Sequence, residues 1–280
     1  MRIINTYPDL ILMYDKMNGI FCMKLWQDYA YGISKSMPIK IREDSKGYDF
    51  DRQVLPILTQ AINNRDALNM AHNSFVAVTK NIEERLLQVF QAGLDVDIIF
   101  YLGLCNGAGW ATELDGKSAI LLGVEKMVEL NWCDERRMIG LIHHELGHIL
   151  HNIKGSGLYE PKSQHESSVW QLYQEGVAMH CENLLCSDFE SYHQSVDDWL
   201  DWCNDNKRDI LLEYKRRIDA NEDAQGFFGD WVQWRGRSNL GYYLGHEFVK
   251  SLAQKYSISK LLNLTIDETI EDFNIFAQSM

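Results

Sequence analysis

Met138-Ile139-Gly140-Leu141-Ile142-His143-His144-Glu145-Leu146-Gly147-His148-Ile149-Leu150 is an apolar run that carries H-E-x-x-H at its centre. Residues four apart on a helix stand one turn above one another, so His144 and His148 can offer two imidazole nitrogens to one metal ion. Glu145 then sits beside the ion without ligating it. Two neutral nitrogens with a neighbouring carboxylate that can take a proton from water make the arrangement of a hydrolytic zinc site. The plainer alternative is a core helix that happens to bury two histidines. Asp134 is placed to cap this helix, with Glu135 favourable in its first turn, and Gly155, Gly157 and Pro161 end it after about His151 or Asn152.

Outward from the motif, Ile98 to Leu104 reads as a buried strand and Ser118 to Val124 as another. Between them lie Asn106-Gly107-Ala108-Gly109-Trp110-Ala111-Thr112 and a tight Asp115-Gly116 turn. The spacing predicts a small antiparallel sheet just before the metal helix. Its glycine-rich edge, Gly107, Ala108, Gly109 and Trp110, either aligns an extended peptide by strand addition or is a hairpin with a bulge.

Downstream, a second helix is expected from about Ser167 to Cys186, with Glu175 among apolar neighbours. A carboxylate in that setting is costly unless something pairs with it, and a metal would. A catalytic zinc keeps three protein ligands and one open position. The metzincin pattern is excluded, because His151 stands at its glycine position and Lys154 at its last histidine. Cys105, as a peptide-deformylase-like third ligand, lacks that family's flanking residues. Glu175 is the better choice, with Glu166 and Glu182 as competitors.

Leu172-Tyr173-Gln174-Glu175-Gly176-Val177-Ala178 resembles the Trp-Leu-Asn-Glu-Gly-Phe-Ala signature of the aminopeptidase-type gluzincins. That resemblance implies that Glu175 is the third zinc ligand. Gly107-Ala108 resembles the start of those enzymes' Gly-Ala-Met-Glu-Asn substrate strand, but Gly109-Trp110-Ala111 follows, so the glutamate that grips a substrate's free amine is missing. Tyr242-Tyr243-Leu244-Gly245 resembles their Tyr-x-x-Gly, which implies a transition-state role for Tyr242, with Tyr243 as fallback and His246 able to share it. The order of these stretches over residues 97 to 255 also resembles the YjaZ-like predicted zinc-dependent proteases.

Composition agrees with a globular protein. The chain has 280 residues, 46% hydrophobic, enough for a substantial core. Its 40 acidic and 27 basic side chains give a formal charge of −13, which disfavours nucleic acid or an anionic membrane as partner. Charges interrupt every apolar run in the first thirty residues, so neither a signal peptide nor a span is expected there, and a cytoplasmic location is. Six scattered cysteines without a C-x-x-C pair suit reduced thiols.

The expectation is therefore an α+β, mainly helical, zincin-like metallopeptidase. Residues 1–95 form a helical N-terminal region packed on a catalytic region at 96–280, or the two are continuous. One zinc per chain is held by His144, His148 and Glu175, with Glu145 and Tyr242 catalytic, and the substrate is a peptide or protein. Two rivals remain: a zincin-fold binding protein without catalysis, and a metal-dependent hydrolase of a non-peptide amide or ester. His151 is a candidate for supporting the metal ligands, and Arg235 and Arg237 for meeting a peptide carboxylate.

Overall fold

The computed structural model describes residues 1–279. The chain divides into two compact units, Met1–Glu145 and Leu146 onward. It is α+β and mainly helical. No described helix is long and apolar enough to cross a membrane.

The first unit holds strand β1 (Arg2–Asn5), helices α1 (Tyr7–Met17), α2 (Met23–Ile33), α3 (Met37–Asp44), α4 (Leu55–Asn63), α5 (Arg65–Val78) and α6 (Ile82–Phe90), then strands β2 (Asp97–Tyr101), β3 (Gly109–Leu114) and β4 (Lys117–Gly123), and helix α7 (Val124–Glu129). Polar residues punctuate these helices: α3 begins after Ser36 and ends at Asp44. Asn64 caps α5, its Oδ1 accepting the Ala67 N–H at 3.1 Å.

The sheet differs from the antiparallel one expected. It is mixed, in the order β1-β2-β4-β3, with β1 and β4 both parallel to β2 and only the β3–β4 hairpin antiparallel. The physical reason lies in the residues. Every side chain of β2 is buried, and β4 is buried over its last five residues, so both run in the middle of the sheet, as doubly covered strands do. The less apolar, glycine-led β3 takes the edge, its turn made by Asp115 (φ 50°) and Gly116 (φ 78°) in the left-handed conformation that a tight hairpin requires. β1 pairs with β2 across residue 95, so the N-terminal residues and the sheet belong to one body. Inside the unit, Trp26 donates its indole N–H to the Leu102 carbonyl at 2.9 Å, and Phe75 stacks on Phe100 at 5.2 Å.

Helix α8 (Glu135–Lys154) carries H-E-x-x-H and runs unbroken through the point where the chain divides. Asp134 caps it as expected, Oδ1 accepting the Arg137 N–H at 3.0 Å.

The second unit continues with α9 (Gln164–Cys186), α10 (Trp199–Asp205), α11 (Lys207–Asp219), α12 (Leu240–Ala253), α13 (Ile258–Leu261) and α14 (Ile266–Gln278). Ser163 caps α9 through the Glu166 N–H, and a reciprocal Thr265–Glu268 box caps α14. Helix α9 is the spine. It meets α12 so closely that a Cβ on Gly176 would lie 2.2 Å from the Gly245 carbonyl oxygen and one on Gly245 2.5 Å from that of Leu172. Tyr214 of α11 donates to the Ser168 carbonyl at 2.8 Å. The tryptophans near 199 and 231 pack in this unit: Trp202 meets Trp234 edge to face, with Arg237 over Trp202 and Arg235 over Trp234.

Candidate metal centre

Gly147, between the two motif histidines, is what lets the site close. A Cβ there would lie 2.9 Å from both Ala178 Cα and Cys181 Cβ, so α8 and α9 touch backbone to backbone at this point. Their crossing brings Glu175, one turn before Ala178, to His148: Nε2 and Oε2 are 3.3 Å apart. His144, His148 and Glu175 offer ligand atoms that all lie within 4.8 Å of one another, and so do His144, Glu182 and His193. Either group could hold a metal ion.

The two groups differ in what their atoms already do. Glu182 is fully buried. Its Oε2 accepts from His193 Nδ1 at 2.7 Å, and its Oε1 accepts the His193 N–H at 3.0 Å and the Ser191 hydroxyl at 3.4 Å. A carboxylate committed in this way orients imidazoles better than it ligates. His148 and Glu175 keep 20% and 17% of their side-chain surface exposed, which leaves a face of that group open to solvent. Burial pushes His193 down to about 3, with Glu175 drawing it up and His148 adding to the depression. At neutral pH its ring is neutral and lies in the field of the first group.

Glu145 is 6% exposed. Its Oε2 accepts the Ala111 N–H of β3 at 2.8 Å. The strand comes this close because residue 109 has no side chain: a Cβ there would lie 2.7 Å from Glu145 Oε1 and from Leu141 Cδ1. Gly107 and Ala108 lie in the loop leading to β3, and Gly109 and Trp110 begin the strand. Its outer edge has no strand partner among the described residues.

Tyr242 starts α12 half-buried, its ring edge-on to Phe228 at 5.7 Å and 6.5 Å from the ring of His193. Tyr243 points elsewhere, donating to Asn204 Oδ1 at 3.0 Å. His246 is fully buried with Nδ1 2.6 Å from the Tyr192 hydroxyl. His151 packs edge-on against Tyr173, 5.2 Å between ring centroids, and burial pushes it down to about 3. Glu166 is taken up at the start of α9 by the Lys162 N–H and the Tyr159 hydroxyl, and Cys105 belongs to neither group. Arg235 and Arg237 pair with Asp209 and Asp198. No disulfide joins any of the six cysteines.

His193 is the residue that the sequence did not announce: Ser191-Tyr192-His193-Gln194 has no spacing relation to the motif. Glu182 had a signal, since seven residues after Glu175 is two helical turns, on the same face. No family model, no curated protein and no solved structure matches this chain.

Proposed function

We propose that the chain is a zinc-dependent peptidase of gluzincin type, with His144, His148 and Glu175 as ligands and Glu145 as general base. The observation that carries this reading is the convergence of His144, His148 and Glu175, with a carboxylate held beside them by an edge strand. The donor set fits the ion. Nitrogen and oxygen ligands about 2.0–2.1 Å from a tetrahedral zinc stand about 3.3 Å apart, which is the His148–Glu175 separation. Glu182 lies behind the site as the carboxylate that holds His193.

Zinc, when bound, supplies a Lewis acid that acidifies water and polarises a carbonyl. Glu145 accepts the proton of the attacking water and returns it to the leaving amine. The Ala111 N–H pins one oxygen of that carboxylate, so the base keeps its direction as its charge changes. The Tyr242 phenol supplies a donor for the developing oxyanion. The open edge of β3 offers backbone groups that align a peptide as an added strand.

Metal content and peptide turnover test this together. The folded wild type should carry or take up one zinc and cleave peptides faster than small esters. A folded chain that takes up no zinc overturns the reading. Zinc binding without turnover of any peptide leaves a metal-binding protein instead.

A further inference from the structure

Glu125, the second residue of α7, is the most deeply buried carboxylate of the first unit, with no exposed surface. Nothing in the proposed reaction uses it. Both oxygens receive backbone N–H groups from the loop between β2 and β3: Oε2 from Gly103 at 2.8 Å and Oε1 from Cys105 at 3.0 Å. The loop is shaped around this carboxylate. A Cβ on Gly103 would lie 2.5 Å from Glu125 Oε1, and one on Gly123 would lie 3.2 Å from it and 2.5 Å from the Gly107 carbonyl. Cys105 sits at φ 65°, a left-handed conformation that a non-glycine residue holds only when its surroundings fix it. The same loop is clipped again where Gly123 donates to the Ala108 carbonyl at 2.9 Å and where Asn106 donates to the Ile41 carbonyl at 3.1 Å.

This loop delivers the chain to Gly109, and so to Ala111, whose N–H holds Glu145. We propose that Glu125 is a positioning residue that fixes the β2–β3 loop and, through it, sets β3 against Glu145. A fully buried carboxyl group between two backbone donors is a stiff clasp, because letting go leaves its oxygens and both amides without hydrogen-bond partners away from water. Tyr14, Tyr29 and Tyr101 are the titratable groups around it from α1, α2 and β2, and Lys126 is its neighbour on α7. The catalytic half of the proposal rests on the peptidase reading; the structural half does not.

Glu125→Gln tests both. The amide keeps one acceptor and turns an NH₂ toward the other donor. With zinc content unchanged, kcat should fall about ten- to a hundredfold while KM moves by less than about twofold. The Ala111 amide should lose about tenfold or more of its hydrogen-exchange protection. Wild-type kcat in the folded, zinc-loaded variant overturns the proposal, as does wild-type protection at Ala111. Should the wild type cleave no peptide, the peptidase reading has failed and the exchange result alone decides the clasp. Should the variant not fold, exchange in the wild type decides it. The amides of Gly103, Cys105 and Ala111 should then open as one unit with equal opening free energies, and an Ala111 that opens independently overturns the proposal.

Discussion

Glu145 accepts the Ala111 N–H, and that bears on what its substitution does. In Glu145→Gln the amide oxygen can still accept the Ala111 N–H, so the geometry survives and the basicity does not. Peptide turnover should fall by about two to four orders of magnitude with zinc retained, measured as kcat beside metal content; turnover at the wild-type rate removes Glu145 from the role of base. The two carboxylates of α9 should separate in a zinc titration against a competing chelator. On the proposed ligand set, Glu175→Ala should lose the metal. Glu182→Gln keeps one acceptor and turns an NH₂ toward a group that donates to Glu182, loosening His193 beside the site, and should weaken affinity by about ten- to a hundredfold. The opposite order would make Glu182 the ligand and Glu175 the supporting group.

At the scale of elements, the α8–α9 crossing is the part most sensitive to a single methyl group. Gly147→Ala gains up to about 1 kcal/mol of helix propensity and meets Ala178 Cα and Cys181 Cβ at 2.9 Å. Overpacking of this kind costs about 1–3 kcal/mol, and a backbone neighbour cannot swing aside, so the cost wins. Denaturant unfolding should show a lower midpoint, and zinc affinity should fall as His148 and Glu175 separate; an unchanged midpoint would mean that the helices do not touch there. These two helices were legible in the sequence because apolar periodicity, Asp134 and the glycines after Lys154 are local signals. The Asp115-Gly116 turn was legible for the same reason. The parallel pairing of β1 with β2 was not, since Arg2-Ile3-Ile4-Asn5 is too short to show a period and its partner begins at Asp97. His193 was hidden in the same way: only the fold brings it to a helix whose spacing it does not share.

The whole molecule should be acid-sensitive for a reason found in its interior. Burial pushes His151 and His246 from about 6.5 down to about 3. Between those values the unfolded chain binds protons that the native chain does not, so stability is complete above about pH 6.5 and declines as the pH falls toward 3. Each histidine contributes a slope of about 1.4 kcal/mol per pH unit. Glu125 has the opposite sign. Burial pushes its carboxyl up to about 7, so its contribution is lost as pH rises from about 4.5 to 7. His143 and His193 are pushed down to about 3 in the same way, so four slopes stand against one and acid is the destabilising direction. Urea midpoints at pH 5 and pH 7 should show the lower stability at pH 5, whereas His246→Gln should flatten the profile. A midpoint that rises on acidification would mean that these rings are protonated in the native state.

The buried thiols carry a consequence for following how the chain opens. Burial pushes Cys133 up to about 11 and Cys181 and Cys203 up to about 12, so in the folded chain these three are poor nucleophiles shut away from reagents. Cys22 and Cys186 are partly exposed and should be alkylated first. Each of these three, like the buried Cys105, then acts as a chemical clock that starts only when its own surroundings part. Cys133 times the first unit and Cys181 and Cys203 the second, and the order in which their masses change under mild denaturant states which half of the chain lets go first.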